Sequence, residues 1–207
     1  MPDALVDAAI RWGAIGPLVL TSAAIMGSPG PATISLVAAG SAYGVRRCVP
    51  YLAGIVAGTI VVLLAVATGI TAALLAVPAL GTVLIAISAA YILWLAYHIA
   101  TAPPLSARDG ATDAPSLAGG ALLGVANPKA WVAIAAAFAS STLADAATTD
   151  AGAKIAVLTG MIVVINATWL VAGGSLAPLL RDPRRARVVN VALAVALIAA
   201  TGLATLE

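Results

Sequence analysis

The chain has 207 residues, of which 62% are hydrophobic and 9% are charged, and its mean hydropathy is +1.10. Soluble domains are about 45–50% apolar and about 25% charged, so this chain has too few charges to cover a soluble surface. The composition excludes a cytosolic enzyme, a disordered chain and a nucleic-acid-binding module, and it indicates an integral membrane protein.

Six apolar segments are long enough to cross a bilayer, for which a helix needs about 20 residues. They cover residues 13–39, 49–77, 79–100, 117–141, 153–180 and 188–206. Residues 101–116 form the clearest polar loop, residues 145–154 form a second polar stretch, and residues 181–187 form a basic one. The first residues lack the cationic region of a cleaved signal peptide, so the first segment is expected in the mature protein. The sequence therefore predicts an all-α membrane protein whose residues 1–207 form a single transmembrane transporter domain.

The distribution of Lys and Arg predicts the orientation, because cytoplasmic loops are enriched in these residues. The loops after the first, third and fifth spans hold seven of the ten: Arg46, Arg47, Arg108, Arg181, Arg184, Arg185 and Arg187. The opposite side holds Arg11 and Lys154. Loop 101–116 is therefore predicted to be cytoplasmic, and both termini are predicted to lie outside the cytoplasm.

A short internal repeat divides the six spans into two halves. Gly27-Ser-Pro-Gly-Pro31 in the first span and Gly124-Val-Ala-Asn-Pro128 in the fourth share the pattern Gly-x-x-x-Pro. Repeat one covers about 13–100 and repeat two about 117–206. Because each half has an odd number of spans, the second enters the membrane inverted, as in many secondary transporters. The predicted fold is two inverted three-helix repeats, with the first and fourth helices broken at proline.

The two proline breaks predict a binding site near the middle of the membrane. Gly30 precedes Pro31 and Asn127 precedes Pro128, an arrangement that starts a new helix. Helix N-termini present free N–H groups and a positive dipole end, which suit a carboxylate. For one break alone, a kink that serves only packing is the simpler interpretation, and two breaks at matching repeat positions favour a site.

Lys129 lies about a dozen residues into the fourth span, where a charge costs at least about 2.5–3.5 kcal/mol. It is too far from either end of the span for its ammonium to reach the membrane interface. The other charged residues are placed outside the spans, so its partner is expected to be a backbone carbonyl, a polar side chain or the substrate. Desolvation lowers the pKa of a lysine, which also makes Lys129 a candidate proton carrier. The predicted substrate-binding residues are Pro29, Gly30, Pro31, Thr33, Asn127, Pro128, Lys129 and Asn166.

An ordered set of motifs resembles that of the LysE/RhtB amino-acid exporter family. The motifs are Gly27-Ser-Pro-Gly-Pro-Ala-Thr33, Tyr43-Gly-Val-Arg-Arg47, Gly54 with Gly58, and Asn127-Pro128-Lys129. The resemblance runs from about residue 15 to residue 205. It implies efflux of an amino acid or related small carboxylate metabolite across a bacterial inner membrane, with a proton as the expected coupling ion.

Two positions depart from that family pattern and bear on the substrate. Family members commonly carry Asp or Asn where this chain has Ala32, and often carry Asp where it has Thr59. Those groups are suited to binding a cationic substrate. Without them, a neutral or small amino acid, or another carboxylate metabolite, fits better than lysine or arginine.

Two other classes of protein stay open on the sequence. An intramembrane serine protease would need Ser28 and His98 to form a dyad, although they fall at different depths of their spans. A structural or assembly subunit fits the composition but leaves Lys129 unexplained. The expected partners are a small-molecule substrate, a coupling ion and the lipid bilayer, without nucleic acid, and a homo-oligomer is left open. No cofactor or metal is expected, because one cysteine and one histidine supply neither a thiolate cluster nor a polyhistidine site.

Overall fold

The computed structural model describes residues 9–69, 78–101, 114–176 and 182–204. These residues form eight α-helices and no β-strand, as predicted for an all-α protein. The helices are α1 Trp12–Met26, α2 Pro31–Tyr43, α3 Val49–Ala67, α4 Pro78–Ala100, α5 Leu117–Ala126, α6 Pro128–Ala139, α7 Ala147–Ser175 and α8 Pro183–Ala204. A 3₁₀ turn, Arg46–Cys48, joins α2 to α3.

Three helical segments are long and apolar enough to cross a membrane: Arg46–Ala67, Ala147–Ser175 and Pro183–Gly202. Helices α5 and α6 together form a fourth candidate span, which is bent by 60° at its break. Helix α1 and residues Ala89–Ala100 of α4 are shorter apolar helices. The described part of the chain is therefore that of a helical membrane protein, and the count of six spans stays a prediction.

Parts of the predicted elements lie outside the described residues. These parts are residues 70–77, 177–180 and 205–206 of the spans, and 102–113 of loop 101–116. Within the described residues, the predicted first and fourth spans each appear as two helices, and the second helix of each pair begins at a proline.

Helices α7 and α8 begin earlier than predicted, at Ala147 rather than 153 and at Pro183 rather than 188. The start of α8 is fixed by Asp182, whose Oδ1 accepts the N–H groups of Arg184 at 3.0 Å and Arg185 at 2.9 Å. An aspartate cap followed by proline is a strong helix start. Part of the predicted basic loop is thus the first turn of α8.

The early start of α7 also corrects the placement of two charged residues. Asp150 lies in the first turn of α7, and Lys154 lies one turn further along the same helix. The prediction that every charged residue except Lys129 lies outside the spans is therefore wrong, because both belong to the candidate span Ala147–Ser175. An acid near a helix N-terminus is favoured by the helix dipole, which lets the helix extend into this polar stretch.

Helix α2 lies at the centre of the bundle. All of its residues except Ile34 are buried, which is typical of a helix that is apolar on every side. Two apolar clusters fill the interior of the described residues. The first packs Leu36 of α2 with residues of α3, α4 and α8, and the second packs Leu18 of α1 with residues of α3, α6 and α7.

Glycines let α3 and α5 pack backbone against backbone. A Cβ atom at Gly54 or Gly58 would lie 2.1 or 2.4 Å from a carbonyl oxygen of α5. A Cβ atom at Gly120 or Gly124 would lie 2.2 or 2.6 Å from a carbonyl oxygen of α3. No real side chain tolerates such distances, so Gly54 and Gly58 allow the close approach of the two helices.

Gly58→Ala is expected to destabilise the protein by about 1–3 kcal/mol, because the added methyl group must separate the two helices. The loss is measured as a lower Tm of the purified protein in detergent. Gly160→Ala is the matched control, since a Cβ atom there meets nothing within 4 Å. Equal Tm values for the two variants would contradict the packing argument.

Candidate functional site

The first helix break covers residues 27–30. Helix α1 ends at Met26, and α2 begins at Pro31, which has no N–H to donate. The N–H of Gly30 donates to Thr33 Oγ1 at 2.8 Å, and the same hydroxyl donates to the Gly30 carbonyl at 3.1 Å. These two bonds fix the backbone where α2 starts.

The second break is a single residue, Asn127, between α5 and α6. Its Oδ1 accepts the N–H of Lys129 at 3.2 Å, and its carbonyl accepts the N–H of Ala130 at 3.0 Å. Pro128 occupies the first helical position, so the predicted cap and helix start are confirmed. The arrangement accounts for the 60° bend between α5 and α6.

Indole groups satisfy one carbonyl at each break. Trp169 Nε1 donates to the Gly27 carbonyl at 3.2 Å, and Trp131 Nε1 donates to the Val125 carbonyl at 2.8 Å. A carbonyl freed from its helix cannot be left bare in hydrocarbon, so each indole stabilises a broken backbone. Neither tryptophan was predicted to be part of the site.

Lys129 of the second break binds the first break directly. Its Nζ donates to the Ser28 carbonyl at 2.7 Å, to Ser28 Oγ at 2.7 Å and to the Pro29 carbonyl at 2.8 Å. Ser28 Oγ is held in turn by donating to the Ile25 carbonyl at 2.8 Å. Two of the three predicted kinds of partner, a backbone carbonyl and a polar side chain, are therefore present.

A cavity of about 50 Å³ lies between the two breaks. Its lining combines a polar side with an apolar side that includes Met26, Ile134, Ile162 and Ile165. The polar lining residues are Ser28, Gly30, Thr33, Thr59, Asn127, Lys129 and Asn166. Because Ile134 and Ile162 belong to the second apolar cluster and Ala32 belongs to the first, the cavity lies where the two clusters meet.

Five of the eight predicted site residues line this cavity: Gly30, Thr33, Asn127, Lys129 and Asn166. Pro29, Pro31 and Pro128 are not among the lining residues. Pro31 and Pro128 start the helices after the breaks, and the Pro29 carbonyl accepts from Lys129. Contact of any of these residues with a substrate stays a prediction. Ser28 and Thr59 complete the polar lining and were not predicted as binding residues.

The start of α2 makes one end of the cavity favourable for an anion. The first hydrogen bond within α2 runs from the N–H of Ile34 to the Gly30 carbonyl at 2.9 Å. The N–H groups of Ala32 and Thr33 precede it, so no carbonyl of α2 pairs with them. The residues that line the cavity include the ammonium of Lys129 and no carboxylate. The described lining is thus electropositive.

Thr59 and Asn166 line the cavity, and each keeps an oxygen atom that can accept a hydrogen bond. Thr59 Oγ1 donates its hydrogen to the Ile55 carbonyl at 2.7 Å, and Asn166 Nδ2 donates to the Ile162 carbonyl at 2.8 Å. Each donor is satisfied within its own helix, which leaves Thr59 Oγ1 and Asn166 Oδ1 as hydrogen-bond acceptors. The expected place of Asn166 at the cavity is therefore observed.

The structure does not form the dyad that a serine protease would require. Ser28 Oγ is engaged with Ile25 and Lys129. His98 Nδ1 lies 2.8 Å from the Trp94 carbonyl, and its ring packs on the Trp94 ring at a centroid distance of 4.1 Å. These contacts of Ser28 and of His98 are made with different residues.

A helical membrane protein with a polar cavity at two helix breaks has the architecture of a small-molecule carrier. The family described as LysE type translocator matches residues 23–205, and the chain belongs to this family. The predicted family resemblance is confirmed, and the protein is a member of a transporter family rather than an enzyme.

Curated relatives carry a more specific description. Proteins of Salmonella choleraesuis (strain SC-B67), Salmonella paratyphi A (strain ATCC 9150 / SARB42) and Salmonella typhi are named cysteine/O-acetylserine efflux protein. This chain is 44% identical to each over 77 residues, which cover 37% of this chain and 39% of the relative. The match therefore spans less than half of each relative. No solved structure matches the chain at a significant level.

Proposed function

We propose that the protein is a secondary transporter that exports a small neutral amino acid, or a related carboxylate metabolite, across the bacterial inner membrane. The observation that carries this proposal is the cavity between the two helix breaks, whose described lining has an ammonium group and a helix N-terminus but no carboxylate. Membership of a translocator family and the efflux function named for the relatives support it.

The start of α2 binds the carboxylate of the substrate. The N–H groups of Ala32 and Thr33 are available there, and the positive end of the helix dipole favours an anion. Lys129 adds a positive charge to the same cavity. Because no acid of the described lining offsets these groups, a substrate with a second positive charge is disfavoured. Lysine and arginine are therefore not expected as substrates.

The size of the cavity favours a small substrate. A cavity of about 50 Å³ holds only a few water molecules, so it must widen to admit an amino acid. The apolar side formed by Met26, Ile134 and Ile162 fits a short side chain. Cysteine and O-acetylserine are both small and neutral, which makes them the first substrates to test.

Contacts within the bundle support the six-span arrangement with inverted repeats. Gly54 faces Leu117 and Gly58 faces Ala121, so α3 and α5 run in the same direction, as spans two and four should. The N–H of Arg11 donates to the Leu143 carbonyl at 2.7 Å, which places the start of α1 beside the connection between α6 and α7. Both lie outside the cytoplasm in the predicted orientation.

Transport proceeds by alternating access, in which one repeat rocks against the other around the two breaks. The side chain of Lys129 in the second repeat binds two carbonyl groups of the first repeat, so these contacts depend on the relative position of the two repeats. The proton is the proposed coupling ion.

Efflux from proteoliposomes tests the proposal. Vesicles are loaded with radiolabelled cysteine, O-acetylserine or lysine, and a pH gradient is imposed or abolished with an ionophore. We expect gradient-dependent loss of cysteine or O-acetylserine, and no more loss of lysine than from protein-free vesicles. Selective efflux of lysine would overturn the proposed substrate class. Efflux of no amino acid or small carboxylate would favour a structural or assembly subunit.

A further inference from the structure

The three oxygen atoms that hold Lys129 form a site for a primary ammonium group. They are the Ser28 carbonyl oxygen, Ser28 Oγ and the Pro29 carbonyl oxygen, and we call them the oxygen cage. We propose that the oxygen cage binds the ammonium group of the substrate, and that Lys129 occupies it in the empty carrier. This inference rests on the proposed function and assigns one part of the same site.

The geometry of the oxygen cage matches an ammonium group. Its three acceptors lie at 2.7, 2.7 and 2.8 Å from Nζ, one for each of the three hydrogens of a primary ammonium. These are the short distances of charge-assisted hydrogen bonds. The oxygen cage follows the carbonyl end of α1, where the helix dipole favours a positive charge.

A zwitterionic amino acid needs both a cation site and an anion site at short separation. The oxygen cage at Ser28 and Pro29 precedes the N–H groups of Ala32 and Thr33 by only a few residues. One short segment of the first break thus presents both polarities. Thr59 and Asn166 supply one acceptor oxygen each, from other helices. The oxygen cage supplies three, which makes it the better ammonium site.

Occupation of the oxygen cage by Lys129 and by the substrate is mutually exclusive. When the substrate ammonium enters, the ammonium of Lys129 leaves and pairs with the substrate carboxylate. When the substrate departs, Lys129 returns and covers the Ser28 and Pro29 carbonyls, which are costly to leave bare in an apolar interior. The empty carrier can therefore reset without carrying a second amino acid back, which is what net export requires.

Binding of methylammonium to the purified protein tests the oxygen cage without transport. In Lys129→Ala the oxygen cage is vacated, so methylammonium chloride should raise the Tm of this variant by about 3–6 °C at ten times its Kd. The shift in wild-type protein should be clearly smaller, because Lys129 competes. Tetramethylammonium, which has no N–H to donate, should raise neither Tm.

A second variant keeps the test valid if Lys129→Ala does not fold. A Cβ atom at Gly30 would lie 2.6 Å from Lys129 Cδ, so Gly30→Ala displaces the lysine side chain while keeping its charge. Gly30 has an extended backbone with φ of −165°, which alanine adopts without strain. Methylammonium should stabilise this variant more than wild-type protein, and addition of Ser28→Ala should reduce the effect by removing one acceptor.

The outcomes separate this inference from the proposed function. Equal Tm shifts with methylammonium and tetramethylammonium, or no methylammonium shift in either variant, would overturn the oxygen cage as an ammonium site even if wild-type protein exports cysteine. A selective methylammonium shift without efflux of any amino acid would support the oxygen cage and overturn the exporter. A selective shift together with efflux supports both.

Discussion

Lys129→Met should lower the initial rate of net amino-acid efflux about a hundredfold or more, measured in proteoliposomes with equal amounts of reconstituted protein. Methionine keeps most of the length of the side chain but cannot donate to the Ser28 and Pro29 carbonyls. Hydrogen bonds to charged groups contribute about 1.5–3 kcal/mol each, and about 1.4 kcal/mol corresponds to a factor of ten. In the proposed cycle, these contacts stabilise the empty carrier while it resets. The free energy of two such contacts is sufficient for the expected fall in net efflux.

Arg187→Met is the matched control for the loss of one positive charge. Arg187 is exposed in the first turns of α8 and is not part of the cavity lining, so its removal should leave the efflux rate within about twofold of wild type. Efflux by Lys129→Met at the rate of Arg187→Met would show that the intramembrane lysine serves packing alone, and the proposed site would then be wrong.

Local rules were sufficient to predict the two helix breaks. A proline after Gly30 or Asn127 cannot continue the preceding helix, and it can start the next one. The observed breaks follow from these residues without long-range information. The close approach at Gly54 and Gly58 is also a local signal, because glycines four residues apart leave one helix face without side chains.

The contacts between the breaks were not predictable from the sequence. Lys129 binds Ser28 across 101 positions, and Trp169 binds Gly27 across 142 positions. Neither pairing follows from a helical period or a turn motif, because each depends on how two distant helices pack. The sequence therefore indicated the kinds of partner that Lys129 could have but not the partner itself. Ser28 was predicted only as a candidate protease nucleophile.

The predicted placement of Asp150 and Lys154 outside the spans was wrong for an identifiable reason. Asp150 and Lys154 read as loop residues because each is costly in a membrane when taken alone. In the structure they neutralise each other, with Lys154 Nζ 2.8 Å from Asp150 Oδ2. Asp150 Oδ1 also accepts the Leu143 N–H at 2.6 Å. An acid that pairs with a lysine and accepts a backbone N–H is compatible with the first turn of an apolar helix. The residue composition of the segment does not reveal this pairing.

Asp150→Ala is expected to destabilise the protein by about 3–5 kcal/mol, which corresponds to a fall in Tm of about 6–20 °C. The side chain of Lys154 is only 8% exposed, and its Nζ lies 4.9 Å from the centre of the Phe138 ring. Removal of the carboxylate leaves this buried ammonium without its counter-charge. The N–H of Leu143 also loses its acceptor.

Two controls separate the loss of the ion pair from other effects of the substitution. Asp145 pairs with Arg11 at the same end of the bundle, but their side chains are 57% and 52% exposed, so Asp145→Ala should cost at most about 1 kcal/mol. In Asp150→Leu with Lys154→Met, no unpaired charge is buried, and the Tm should recover part of the loss. If the double variant is no more stable than Asp150→Ala, the backbone contacts of Asp150 matter more than its charge.

The ion pair and the cavity are connected through α7, because Lys154 and two residues that line the cavity lie on one buried face of this helix. Lys154, Leu158, Ile162 and Asn166 are buried at intervals of four residues, so they form a single stripe along the helix. At a rise of about 1.5 Å per residue, Lys154 and Asn166 are about 18 Å apart along the helix. Asp150→Ala at a temperature where it remains folded should therefore impair efflux less than Lys129→Met, because it loosens the end of α7 and leaves the oxygen cage intact.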